Sequence, residues 1–247
     1  MTKTERLEQL FKEWEEAQER ESPQSLARTM RGNNITASHF RRDGIIDETT
    51  FENERVKVLF VSYEANDDEY SAKITPNTNT VNDYREYYDS GIERYRGQMK
   101  ERTSEYYKIF SNTPREDLSN SDAALHYAIM DLNKRGGQKN INDEHVLEYC
   151  RVYNEYIKEE IEIIDPDVIV CMGDKPYTNS IFALFGAKMS GGKKYITVNN
   201  RLVPVIVVWH TAYRFGFKQI EPLPGYNKIT GSLCAKCLEE ARRYNLV

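Results

Sequence analysis

The 247-residue chain has no apolar run that approaches the roughly 18 to 20 residues needed to cross a bilayer, so no membrane partner is expected. Cysteine is scarce: the four are Cys150, Cys171, Cys234 and Cys237, too few and too clustered late in the chain for the disulfide framework of a secreted domain. Reduced thiols are expected. The opening Met1 to Arg6 carries neither an apolar stretch nor a small-residue cleavage site, so no secretory signal is expected and the cytoplasm is the expected location. Positive charge is also short, with 34 Lys and Arg against 39 Asp and Glu, a net charge of -5. That balance is awkward for a partner held through its phosphates, because such binding runs on Lys and Arg. Basic residues do cluster locally at Arg28 to Arg31, Arg41-Arg42, Lys134-Arg135 with Lys139, and Lys193-Lys194. Each cluster is read as solvated surface.

What the chain does have is a set of short apolar runs separated by helical patterns. Leu7, Leu10, Phe11 and Trp14 fall at helical spacing over residues 3 to 20, and Ser22-Pro23 starts a second short helix that Arg31-Gly32-Asn33-Asn34 ends. Residues 1 to 50 are therefore read as an N-terminal helical appendage to a domain over 51 to 247. Residues 56 to 63 form the first buried strand. A Tyr-rich span through Phe110 reads as two helices around Asp89-Ser90-Gly91, and residues 123 to 132 include a second strand, closed by Gly136-Gly137. Val146, Cys150, Tyr153, Ile157, Ile161 and Ile164 predict one long amphipathic helix from Asp143 to Ile164, stopped by Asp165-Pro166. Residues 167 to 172 are a third strand, followed by a helix from Lys175 to Phe185. Tyr195 to Val208 reads as a hairpin turning at Asn199-Asn200, whose second arm is the last core strand, and a helix over Leu233 to Tyr244 closes the chain.

Strands alternating with helices predict an α/β fold: a three-layer α/β/α arrangement around a central, mostly parallel, four-stranded sheet, plus the N-terminal helices. Ligands of such sheets gather at the carboxyl ends of the strands. Four segments are thereby nominated: Glu64 to Asp67, Asp131 to Lys134, Gly173 to Lys175, and His210 to Arg214. Cys234-Ala235-Lys236-Cys237 has metal-ligand spacing, but Cys150 falls in a helical pattern and Cys171 ends a strand, so no metal site is expected.

The order of these segments resembles the uracil-DNA glycosylase-like superfamily. The resemblance spans residues 55 to 245 and is carried by the polar loop after the first strand, by Asp131-Leu132-Asn133-Lys134-Arg135-Gly136-Gly137, by Asp165-Pro166-Asp167-Val168-Ile169-Val170-Cys171-Met172-Gly173, and by the last strand ending in His210. It implies that Glu64, Asn66 and Asp67 position or activate the attacking water and that His210 stabilises the departing base. Tyr63 and Tyr70 would contact the base, Asp131 and Asn133 would read its edge, and Tyr213-Arg214 would wedge into the duplex or hold a phosphate. The chemistry suits these groups, since N-glycosidic cleavage puts positive charge on the sugar and negative charge on the base.

Three departures from the family pattern bear on the substrate. Ser62-Tyr63-Glu64-Ala65-Asn66 stands where relatives carry a Gly- and Pro-containing segment, and His210-Thr211-Ala212 stands in place of His-Pro-Ser. Both point away from uracil. Asp131 occupies a position often held by Asn, and a carboxylate accepts hydrogen bonds only, which favours a base offering an amino group. The resemblance further implies no cofactor, because the iron-sulfur members carry an early cysteine pair and this chain has no Cys before Cys150.

Two functions follow as expectations. One is a monofunctional DNA glycosylase, acting as a monomer on an extruded damaged or modified base in single- or double-stranded DNA, in repair or in phage defence. The other is a non-catalytic module on the same fold that binds nucleic acid or protein.

Overall fold

A computed structural model describes residues 1–21, 40, 42–66, 93–111, 113–137, 143–173, 176–210 and 220–247, with the backbone alone at 63–66, 93–100, 115, 135–137, 143–145 and 176–180. The expected helix over residues 22 to 31 and the first of the two helices in the Tyr-rich span lie outside them.

In chain order the helices are α1 (Lys3–Glu19), α2 (Glu48–Glu52), α3 (Glu93–Phe110), α4 (Asn120–Ala123), α5 (Asp143–Val152), α6 (Asn154–Ile164), α7 (Pro176–Phe185) and α8 (Lys228–Arg243). The strands are β1 (Gly44–Ile45), β2 (Val58–Asn66), β3 (Ala128–Gly137), β4 (Val168–Met172), β5 (Lys188–Ser190), β6 (Lys193–Val198) and β7 (Arg201–Val208). The sheet is therefore larger than the four strands expected. Among the described residues it has seven, ordered β1-β3-β2-β4-β7-β6-β5. β3, β2, β4 and β7 run parallel to one another, whereas β1 joins β3, β6 joins β7 and β5 joins β6, all antiparallel. The additions escaped the sequence reading for physical reasons: β1 has two residues, and β5 is fully exposed, so neither has an apolar signature.

Alternation along the strands divides the core between the two faces of the sheet. On one face Leu59, Val61, Met130, Leu132, Ile169, Cys171 and Val205 pack against α1, α5, α6 and α7. On the other, Phe60, Ile129, Val170, Met172, Ile206 and Val208 pack against α3, α4 and α8. The α1 helix contributes Leu7, Leu10, Phe11 and Trp14 to the first cluster, all buried. Its start is fixed by a capping box in which Thr2 accepts from the Glu5 amide and Glu5 accepts from the Thr2 amide.

The single helix expected from Asp143 to Ile164 is two, α5 and α6, with Tyr153 between them at φ -105° and ψ 26°. α6 then stops at Asp165, whose left-handed φ of 52° turns the chain before Pro166 cannot continue the helix. The amino end of the sheet is clamped there. Arg201 Nη1 donates to Asp167 at 2.9 Å and Nη2 to Asp165 at 2.8 Å, and the Lys57 amide donates to Asp167 at 3.0 Å. The β6–β7 hairpin turns where expected, with Asn199 and Asn200 at φ 47° and 63°, as a two-residue turn matched to the strand twist requires.

The closing helix begins five residues earlier than expected, at Lys228, capped by the Asn227 side chain accepting from the Thr230 amide at 3.0 Å. Gly231 in its first turn packs so closely on the preceding segment that an added Cβ would lie 2.8 Å from Pro222 Cβ. Among the described residues no helix is long and apolar enough to cross a membrane.

Candidate functional site

The chain leaves β2 for β3 on one side and reaches β4 on the other, so the direction of the crossovers reverses at β2. Crevices at the carboxyl ends of strands open at such a reversal. Register defines the row of residues beneath it: Ser62 of β2 lies opposite Asp131 of β3, and Met172 of β4 opposite Val208 of β7. Two residues further on, Glu64 lies opposite Asn133. The register then slips, so that Asn66 meets Gly137. Such a bulge bends the strand end away from regular pairing.

The apolar interior of the α3 face gives way to polar groups at this end. Ser62, Asp131 and Asn133 are buried, and so is the whole turn Arg102-Thr103-Ser104-Glu105 of α3. This part of α3 is tied to the ends of β4 and β7 and to α4. The Thr103 hydroxyl reaches Met172 Sδ at 3.6 Å, the Ser104 hydroxyl donates to the Asn120 carbonyl at 2.9 Å, and the Tyr106 hydroxyl donates to the Trp209 carbonyl at 2.9 Å. Burial, and the Arg102 guanidinium after it, hold the His210 imidazole below its ordinary value of 6.5. His210 is therefore neutral near pH 7, and a neutral imidazole keeps one N–H donor and one acceptor.

Gly173 closes the β4 end with φ 135°, a conformation a side chain disfavours, and its amide donates to the Val208 carbonyl at 2.8 Å. One strand, β4, separates β2 from β7, so the chain at Glu64 and the chain leaving β7 toward His210 are about 10 Å apart.

Of the nominated residues, Asp131, Asn133 and His210 lie along this edge with their side chains placed, β2 and β4 standing between β3 and β7, and Tyr63, Glu64 and Asn66 reach it as backbone positions of β2. Asp67, Tyr70, Tyr213 and Arg214 lie outside the described residues. Sequence reasoning missed Arg102, Thr103 and Glu105. They form no motif, and only their burial on a polar helix turn marks them.

Lys134 corrects the reading of the basic clusters. It is fully buried, on the face opposite Asp131, with Nζ 2.5 Å from Asp43 Oδ1 and 3.0 Å from Glu160 Oε1. The Phe11 and Trp14 rings lie 5.4 Å from the same nitrogen. Its period-two relation to Met130 and Leu132 was the available signal. Arg42 likewise pairs with Glu15 at 2.8 Å.

The thiols do not assemble. Cys150 and Cys171 lie in the first apolar cluster and Cys234 and Cys237 in the second, on the opposite face of the sheet. Burial pushes the Cys171 thiol up to about 12, against the opposing charge of Lys194. Among the described residues no group of three or more His, Cys, Asp or Glu is placed to hold a metal ion.

No protein-family model matches the chain, and no curated protein matches it.

Proposed function

We propose that the protein is a DNA glycosylase that hydrolyses the N-glycosidic bond of an extruded, damaged or modified base. The observation that supports this reading most directly is the part-buried, neutral His210, its imidazole lowered by burial and the Arg102 charge, at the carboxyl edge of the same sheet as the buried Asp131 and Asn133. A departing base takes the electron pair of its bond to C1′ and becomes anionic. The His210 N–H is a suitable donor to that anion, and a nearby guanidinium strengthens it in a water-poor site. C1′ becomes cationic and is attacked by water, whose proton passes to a carboxylate of the Glu64 to Asp67 segment, with Asn66 orienting the water.

Asp131 accepts from an exocyclic amino group of the base and Asn133 offers both a donor and an acceptor. Tyr63 and Tyr70 are assigned to the faces of the base, and Tyr213 and Arg214 to the DNA backbone. Because the base must leave the stack, weakly paired bases and single strands are favoured substrates. The same proposal places the protein in the cytoplasm and makes DNA, in repair or phage defence, its partner.

A second reading, a non-catalytic binding module, is favoured by the net charge of -5. One experiment separates the two. Labelled single- and double-stranded oligonucleotides carrying uracil, hypoxanthine, xanthine, or hydroxymethylated or glucosylated cytosine are incubated with the protein and treated with alkali. Strand cleavage that is lost in both Glu64→Ala and His210→Ala supports the glycosylase and names its base. A silent panel with measurable DNA or protein binding supports the module.

A further inference from the structure

Asp131 belongs to a strand whose outer neighbour is very short: the pairing of β1 with β3 ends at Gly44 opposite Ile129. Two residues beyond, the Asp131 amide is met by a side chain, donating to Asp43 Oδ2 at 2.7 Å. The other oxygen of the same carboxylate accepts from Lys134 Nζ at 2.5 Å, and Lys134 also pairs with Glu160 at 2.9 Å. All three charged side chains are buried. A carboxylate removed from water needs a cation, and a buried lysine needs carboxylates, so neither is retained at such a place by solvation. Burial pushes the Glu160 carboxyl well above its ordinary range.

We infer that Asp43, held in place by Lys134, is a positioning residue for Asp131, the group assigned to the extruded base in the glycosylase reading on which this inference rests. The side chains of Lys134 and Asp131 leave β3 on opposite faces. Asp43 sits at the strand's edge and joins the two. The charge-assisted bond to the Asp131 amide fixes the outer side of β3 beyond its last pair with β1, two residues before Asn133 meets Glu64 and the register slips. It sets the height at which the Asp131 carboxylate enters the crevice.

The test is residue-resolved amide exchange in the full chain, joined to the oligonucleotide assay. In the unaltered protein the Asp131 amide exchanges as slowly as that of Ile129, although β1 has already ended. Rapid exchange at Asp131 overturns the inference. In Asp43→Asn, which keeps an oxygen acceptor and removes the charge, exchange at Asp131 rises about tenfold while Ile129 and Val61 stay protected. Equal acceleration at all three positions marks a merely structural role and overturns it. On a cleaved oligonucleotide the same variant lowers kcat on the order of tenfold with KM unchanged. An unchanged kcat overturns the positioning role. A silent panel combined with selective acceleration at Asp131 rejects the glycosylase reading and leaves Asp43 as the residue that fixes the Asp131 end of β3.

Discussion

The Tyr106 hydroxyl donates to the Trp209 carbonyl at 2.9 Å, so a helix on one face of the sheet holds the backbone immediately before His210. Tyr106 is itself fully buried, and burial raises its hydroxyl well above the ordinary value, which keeps it a donor at any physiological pH. Its ring lies 6.5 Å from that of Phe60 and stacks on it, which fixes the reach of the hydroxyl.

Tyr106→Phe removes the donor and keeps the ring. The Trp209 carbonyl loses this partner, and a lost buried hydrogen bond of this kind costs about 1 to 2 kcal/mol. Urea unfolding is expected to show a lower midpoint with an unchanged slope. On the glycosylase reading, base excision should fall more than stability explains, because the backbone carrying His210 is freed. A variant with wild-type excision would separate Tyr106 from the site.

The lowered His210 value predicts how stability depends on pH. In the unfolded chain the imidazole takes up a proton near 6.5, whereas in the folded chain it does so at lower pH. Between those two values the unfolded state binds more protons, so this group's contribution is present above 6.5 and is lost as pH falls through that window. His210→Gln is expected to flatten that part of the stability curve, read by denaturant titration from pH 7.5 to about 5. A slope identical in the two proteins would contradict a buried neutral His210.

Lys134→Met leaves two carboxyls buried without their cation. Breaking a buried pair in this way costs about 3 to 5 kcal/mol. The cost is expected to depend on pH in the opposite sense to His210. With the ammonium gone, the buried Glu160 carboxyl, already above its ordinary range, binds its proton more tightly folded than unfolded, so stability rises as pH falls toward the carboxylate range. Thermal unfolding at pH 5 and pH 7 checks the sign, and a variant more stable at pH 7 would show that the carboxyls had found other partners.

The sequence made some of this structure easy to read and concealed the rest for identifiable reasons. β2, β4 and β7 are short apolar runs buried on both faces, and the Asn199-Asn200 turn has side chains suited to positive φ, so local chemistry alone places them. The break at Tyr153 is invisible because apolar positions on α5 and α6 keep a spacing of three or four across it. At the candidate site, His210 and Asp131 were legible as strand-end positions. Arg102 and Glu105 were not, because a buried polar turn on a helix has the pattern of a solvated one. Lys134 was misplaced by its neighbour: Arg135 beside it suggests a charged surface, while the alternation along β3 sends Lys134 inward.

The division of the core between two faces also distributes the four thiols, with Cys150 and Cys171 under one set of helices and Cys234 and Cys237 under the other. None is accessible in the folded protein, so a thiol reagent can reach a sulfur only after the helices above it lift away. The protein thereby carries a built-in gauge of cooperativity. Labelling of all four at a single rate would mean that both sides of the sheet open as a unit, and two separate rates would reveal which set of helices departs first.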